Sequence, residues 1–395
     1  MVYLNQLGMI CALGDNHAEI SRRLFAGDSG VAMTRRHSPE RELALGCVDA
    51  TLSDALPDIE VLPLPHRSRN NQLALAALAQ IRPQVDAAIQ RFGASRVAIV
   101  LGTSTSGIAQ TEAAFRYRRE NGGFPAGFSY AQQEMASPAT MLAAELGTSG
   151  PAYVHSSACA SSSKAMASAA RLLNMGVCDA VLSGGVDSLC AFTVAGFAAL
   201  ESVSVARCNP FSANRNGINI GEGATLFLMT RDEATVSLRG WGESSDGYHI
   251  SAPDPSGNGA RSAIEQALAR AGLAPAQCDY INLHGTATVQ NDAMEGRVIA
   301  ALFGDQVALS STKPFTGHAL GAAGAVEAGL CWLAMQDNNP QGCLPPHLWD
   351  GVADAQLPSL NLLPPGARLG HPLRWALSNS FAFGGANASL LLGRA

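Results

Sequence analysis

Ala152-Tyr153-Val154-His155-Ser156-Ser157-Ala158-Cys159-Ala160-Ser161-Ser162-Ser163 is the stretch on which the reading of this 395-residue chain turns. Ala152 to Ser156 reads as a short buried strand, and the small residues from Ala160 to Leu173 read as a helix. Cys159 then lies where a strand turns into a helix. The free N–H groups and partial positive charge of a helix N-terminus favour a thiolate and lower a thiol's pKa. Small neighbours also permit a sharp turn and the close approach of an acyl chain, the logic of a nucleophile elbow. A buried structural cysteine is the competing reading of the same pattern.

On either side the chain alternates apolar β-rich runs with Ala-rich helical runs. Arg96 to Leu101, Asp179 to Ser183, Thr225 to Met229, Val236 to Gly240, Tyr280 to Leu283, Val307 to Ser311, Trp375 to Ser378 and Ala388 to Leu392 read as strands. Ala260 to Ala271 and about Ala319 to Met335 read as helices. Continuous apolar strands separated by helices imply sheets covered on both faces. Tyr153 to Leu173 and Val307 to Leu330 share one plan of strand, polar turn and small-residue helix, so a duplicated α/β core with a junction near residues 232–240 is expected. The polar stretch Ala114 to Gln133 reads as an excursion that covers the core or a partner.

Charged residues make up 15% of the chain and hydrophobic ones 47%, against about 25% charged in an average soluble domain. That composition excludes disorder and implies a large core. A net charge of −6 argues against a nucleic-acid partner. The nine cysteines include no C-x-x-C pair, so neither a disulfide framework nor a zinc site is expected. Met1 to Leu13 lacks a cationic start, and no stretch of about 18 apolar residues appears. A cytoplasmic protein without membrane insertion is the expectation.

Three more segments carry chemistry. In Asn282-Leu283-His284-Gly285-Thr286-Ala287-Thr288 an imidazole leaves the C-terminal end of a strand, where α/β proteins place ligands; a hydrogen-bonded core histidine is the alternative. Ser311-Thr312-Lys313-Pro314-Phe315-Thr316-Gly317-His318 puts a Lys and a His five residues apart on a loop entering an apolar helix. Glu327, inside that helix, needs a partner if buried, and Lys313 is a candidate. Asn379-Ser380-Phe381-Ala382-Phe383-Gly384-Gly385-Ala386-Asn387 interleaves two aromatics with Ala and Gly after a strand, either as a mobile loop with amides facing a ligand or as an ordinary hairpin.

In order and spacing the four segments resemble those of the elongating β-ketoacyl-acyl carrier protein synthases, the type I and II condensing enzymes of the thiolase fold. The likeness runs from Leu7-Gly8-Met9-Ile10 through Asn219-Ile220-Gly221-Glu222-Gly223-Ala224 and Pro253 to Gly259, nearly the whole chain. The resemblance implies an α/β, thiolase-like, duplicated α-β-α-β-α layered fold with mixed five-stranded sheets. Residues 1–235 would form a half with the nucleophile, and residues 236–395 a half with both active-site histidines.

It further implies that Cys159 takes an acyl group from a carrier protein's phosphopantetheine, and that His284 and His318, as neutral N–H donors, stabilise the enolate left when malonyl-carrier protein loses CO₂. The amides of Cys159 and Phe381 would form the oxyanion hole, with Phe381 also the gate. Lys313 would orient His318, with Glu327 offsetting its charge. Thr286 and Thr288 would bind the pantetheine arm, and Thr105 and Phe383 would line the substrate pocket. Carrier proteins are acidic, so Arg67, Arg69, Arg207 and Arg215 are expected as a basic docking rim. No metal or organic cofactor is required, and a homodimer, or a heterodimer with a Cys-less ketosynthase-like chain, is expected.

Ala382 stands between the two Phe where the family usually has Gly, Thr105 replaces a bulkier aliphatic, and Val289-Gln290 replaces Pro-Leu. With Asn70-Asn71-Gln72 and Gly242 to Asp246, these departures look most like ketosynthases of bacterial aryl polyene pathways. Housekeeping fatty-acid elongation, a CoA-dependent thiolase-fold acyltransferase and a non-catalytic chain-length partner are the rival readings.

Overall fold

The structure, a computed structural model, describes residues 1–48 and 56–394. Twelve strands are present among them: β1 (Val2–Cys11), β2 (Ala32–Thr34), β3 (Leu43–Leu45), β4 (Val97–Gly102), β5 (Ala152–His155), β6 (Ala180–Asp187), β7 (Gly223–Thr230), β8 (Val236–Ser245), β9 (Tyr280–Asn282), β10 (Ala308–Ser310), β11 (Trp375–Phe381) and β12 (Ala386–Arg394). β2 and β3 form a small hairpin, and the other ten form one mixed sheet in the order β10-β9-β11-β12-β8-β1-β7-β6-β4-β5.

Duplication is written in that order. Within β5-β4-β6-β7-β1 the three strands β5, β4 and β6 run parallel, and β7 and β1 add antiparallel. In the same way β10, β9 and β11 run parallel, and β12 and β8 add antiparallel. The two sets are the mixed five-stranded sheets that were expected. They are joined along one seam, where Val2 pairs with Leu238 and Tyr3 with Ser237. The chain passes from one set to the other between Thr230 and Val236.

Two helices, Ser161–Asn174 and Ala323–Ala334, fill the layer between the sets, each touching strands of both. In the second helix every residue except Trp332 is buried. Small residues make this possible: a Cβ on Gly324 would lie 2.1 Å from Ser163 Oγ on the other helix. The strands divide their side chains with period two. Ala98 and Val100 of β4 and Phe227 and Met229 of β7 join the central core. Val97, Ile99, Leu101, Leu226 and Leu228 point away from it, into the outer layer with helices Arg69–Ala79 and Ser137–Leu146. Helices Asn258–Ala271 and Val289–Phe303 cover the second set in the same way. Both faces of each set are therefore apolar, which explains the unbroken hydrophobic runs.

The Ala114 to Gln133 excursion is helix Ile108–Asn121, in which only Ala114 is buried, followed by a 3₁₀ turn at Tyr130–Gln133. No helix among the described residues is long and apolar enough to cross a membrane.

Candidate active site

The nucleophile turn follows β5. Ala158 adopts a left-handed φ of 47°, which turns the chain back toward the helix beginning at Ser161. Ser161 holds this turn, its Oγ donating to Ala158 O at 2.6 Å and accepting from Ser157 N–H at 2.8 Å. Cys159 is thereby placed just before the helix N-terminus with its side chain buried. The expected lowering of its pKa does not follow. Burial pushes the thiol up to about 11, against the pull of the Lys313 charge and of the Phe383 and Cys159 amides. Removing water from around a thiolate costs more than the local dipole returns, so the resting group is a thiol.

His318 Nε2 lies 3.0 Å from Cys159 Sγ. His284 joins them: the nitrogen and sulfur atoms that the three side chains can offer lie within 4.8 Å of one another, and the two imidazole rings stand 5.4 Å apart at 83°. Burial, reinforced by the Lys313 charge, holds both histidines well below their ordinary pKa, and His318 adds to the effect on His284. Both rings are neutral at neutral pH. The cluster has the span of a metal site, but the Lys313 ammonium beside it opposes a cation there.

Lys313 was expected to orient His318. Its Nζ instead lies 3.4 Å from His284 Nδ1 and pairs with Glu327, both charges fully buried. An ammonium can only donate, so His284 Nδ1 accepts and its proton is carried on Nε2. Burial raises the Glu327 carboxyl, and Lys313 pulls it back down. His318 Nδ1 is buried and finds no partner among the described residues.

A narrow cleft of about 40 Å³ opens on these groups, lined by Cys159, His284, His318, Thr286, Thr288, Gln290, Phe381, Ala382 and Phe383 among others. Thr286 and Thr288 share a hydrogen bond of 2.9 Å at its wall. Phe381, expected as oxyanion-hole donor and gate, and Phe383 both line the cleft, in different settings. Phe381 ends β11 opposite Asn387 and is buried beside His284. Phe383 lies beyond the strand, where Gly384 and Gly385 take left-handed φ of 79° and 76°. Its backbone amide is one of the groups that oppose the rise of the Cys159 thiol, and its ring meets Phe197 at 5.7 Å.

Thr105 is not brought to the cleft; its hydroxyl donates to Asp187 at 2.7 Å in the interior. Two of the four candidate docking arginines are committed elsewhere. Arg69 pairs with buried Glu222, and Arg215 is itself buried against Asp354. Arg67 is half-exposed and paired with Glu60, while Arg207 is exposed.

Three carboxylates that support the site were missed from sequence. Glu295 accepts the N–H groups of His284 and Gly285, each at 2.8 Å, and Asp292 those of Phe211 at 2.7 Å and Ala287 at 3.3 Å. Their signal was an i,i+3 acidic pair inside the apolar stretch that follows the His284 motif. The third, Asp187, ends β6.

A thiol and two neutral imidazoles at the floor of a narrow cleft, on a duplicated α/β scaffold, define a thiolase-fold condensing enzyme. Residues 7–234 match the N-terminal domain of the beta-ketoacyl synthase family and residues 235–348 its C-terminal domain, and the chain belongs to that family. It is 32% identical to Nodulation protein E of Rhizobium meliloti over 98% of each chain. It is 31% identical to 3-oxoacyl-[acyl-carrier-protein] synthase 2 of Coxiella burnetii, over 100% of this chain and 98% of that one. The ketosynthase ApeO in complex with its chain length factor ApeC, from Xenorhabdus doucetiae, superposes with a TM-score of 0.92 at 45% identity, over 100% of this chain and 98% of that chain. The ishigamide ketosynthase/chain length factor does so with a TM-score of 0.89 at 26% identity, over 100% and 99%. The chain is an acyltransferase with the condensing activity of a 3-oxoacyl-acyl carrier protein synthase.

Proposed function

We propose that this chain is the nucleophile-bearing ketosynthase of a heterodimer, works in the cytoplasm, and extends conjugated, aryl-capped chains on an acyl carrier protein. The observation that carries the condensing role is the 3.0 Å approach of His318 Nε2 to the Cys159 thiol beside a second neutral imidazole.

In the first half-reaction Cys159 Sγ attacks the acyl thioester and the carbon–sulfur bond to pantetheine breaks. The thiol proton ends on the departing pantetheine sulfur, with His318 Nε2 in reach to relay it. In the second, the malonyl C–CO₂ bond breaks and CO₂ leaves. The electron pair becomes an enolate whose oxygen takes N–H donors from His284 and His318. Its carbon attacks the acyl-Cys159 carbonyl, whose oxyanion is held by the Cys159 and Phe383 amides. Collapse returns a thiolate that regains a proton, and the chain is longer by two carbons. Among the described residues nothing hydrogen-bonds His318 Nδ1, so that ring can accept on Nε2 in one half and donate in the other.

The substrate class is supported by Ala382 and Gln290, two of the departures noted in the sequence, which line the cleft. The heterodimer is supported by the full-length likeness to a ketosynthase found with a chain length factor. The test is mass spectrometry of acyl-Cys159 and product after incubation with malonyl-carrier protein and either aryl-enoyl- or saturated acyl-carrier protein of matched length. Aryl-enoyl chains are expected to be extended preferentially. Equal extension of saturated chains would overturn the substrate class, and carbon–carbon bond formation by Cys159→Ala would overturn the mechanism.

A further inference from the structure

We infer that Asp187 is a positioning residue for His318, an assignment that rests on the catalytic reading of that histidine. Asp187 is fully buried at the end of β6, and no Lys or Arg among the described residues pairs with it. Six donors from two distant turns supply what a counter-cation would. The turn after β4 gives Thr103 Oγ1 at 2.6 Å, Ser104 N at 2.9 Å and Oγ at 2.6 Å, and Thr105 N at 2.8 Å and Oγ1 at 2.7 Å. The turn after His318 gives Gly321 N at 2.6 Å.

Each turn contains a non-glycine residue in the left-handed region, Ser106 at φ 45° and Leu320 at φ 48°. Such residues persist only where surrounding bonds over-determine them. The fit at Gly321 is close: a Cβ there would lie 2.7 Å from Asp187 Oδ2 and 2.7 Å from Ser104 N.

The consequence for His318 follows from how little else holds it. Among the described residues nothing hydrogen-bonds its Nδ1, so no bond on that side of the ring fixes its orientation. The backbone must do so. His318 N–H donates to Asn219 O at 2.6 Å, and its carbonyl accepts from Gly221 N–H at 2.9 Å. Both ties are on His318 itself; the turn that follows is closed by Ala322 N–H on Ala319 O at 2.9 Å and anchored to the opposite turn by Gly321 N–H, whose shorter bond is to Asp187 at 2.6 Å and whose longer one is to Ser104 Oγ at 3.3 Å. Without the Asp187 bond Leu320 is released to relax toward negative φ, and the His318 Nε2 to Cys159 Sγ approach loosens.

Asp187→Asn keeps the shape but presents an NH₂ to a nest of donors, so at least one of the N–H groups loses its acceptor. Two readouts separate positioning from general stability: the pH dependence of Cys159 alkylation by iodoacetamide, which feels His318 directly, and malonyl-carrier protein decarboxylation. Asp187→Asn is expected to shift the alkylation profile and to lower the decarboxylation kcat about tenfold, the size of one lost hydrogen bond, with KM within about twofold. Thr103→Val removes one donor from the same carboxylate and leaves the Gly321 tie; it should lower Tm while preserving the alkylation profile. Gly321→Ala breaks the tie from the other side and should reproduce the Asp187→Asn profile, so the comparison stands even if Asp187→Asn does not fold. A wild-type profile and kcat in both tie-breaking variants overturns the inference. So does a Thr103→Val loss equal to theirs at matched Tm. If wild type condenses nothing, the alkylation comparison still decides the positioning role.

Discussion

The two histidine segments leave neighbouring strands, β9 and β10, yet they are held by opposite means. His284 is held at its side chain, where Lys313 meets Nδ1, and along its loop, where Glu295 and Asp292 take the amides of residues 284, 285 and 287. Among the described residues the His318 side chain hydrogen-bonds only Cys159, and its backbone is tied to Asn219 and Gly221. A pinned ring is a fixed donor with one tautomer. An unpinned ring can serve the thiol and then the enolate. In the proposed mechanism His284 accordingly serves one half-reaction and His318 both.

Removing each ring tests that division and should give the largest effects. His284→Ala and His318→Ala should each lower malonyl-carrier protein decarboxylation by about 100- to 1,000-fold, the usual cost of a lost oxyanion donor. Cys159 alkylation by iodoacetamide should change in His318→Ala and stay near wild type in His284→Ala. An equal change in both would erase the difference between the rings.

The next effect concerns the pin itself. Lys313→Ala leaves the Glu327 carboxylate buried without its partner, and breaking such a pair costs about 3–5 kcal/mol, measurable by urea unfolding. Replacing both, as Lys313→Met with Glu327→Leu, should cost much less, because no charge is then stranded. Catalysis should respond in a direction fixed by the charge. Lys313 helps hold both histidines below their ordinary pKa, so its loss raises them toward it. In any Lys313 variant that folds, the acid limb of the decarboxylation profile should therefore move to higher pH. An unmoved limb would mean that burial alone keeps the rings neutral.

What the sequence disclosed and what it hid divide along the same line between local and distant causes. Cys159, His284 and His318 were legible because each sits in a short segment whose strand, turn and helix signals are all local. Lys313's choice of His284 over His318 was not, since it depends on how a residue 29 positions away in the chain folds back. Arg69 and Arg215 looked like surface charges because their partners, Glu222 and Asp354, lie 153 and 139 residues away. The raised Cys159 pKa was missed for the same reason: the helix terminus is written locally, and the burial that outweighs it is contributed by the whole core. Phe381 and Phe383 are separated by one residue, and only the point where β11 ends shows that the first is in the strand and the second beyond it. β1 was read for a leader peptide and for the start of the family likeness but not as a strand, although the two five-stranded sets meet at it.

The smallest effect expected probes the carboxylates beneath the pinned loop. Burial raises Glu295 from 4.5 to about 7. Between those values the folded chain retains a proton that the unfolded chain has released, so the stability due to this group is fully present below about 4.5 and falls as pH rises toward 7. Asp292, one helical turn earlier and raised from 3.8 to about 6, adds a fall of the same sign. Glu295→Gln cannot titrate and keeps an acceptor for only one of the two amides. It should cost about 1 kcal/mol at pH 5, the scale of one hydrogen bond, and lower kcat only a few-fold. Its stability should then decline less steeply than wild type's, so urea unfolding at pH 5, 6, 7 and 8 should show the gap between the two narrowing. A gap that stays constant would place the Glu295 proton equilibrium outside this window and leave the loop held by a permanently charged carboxylate.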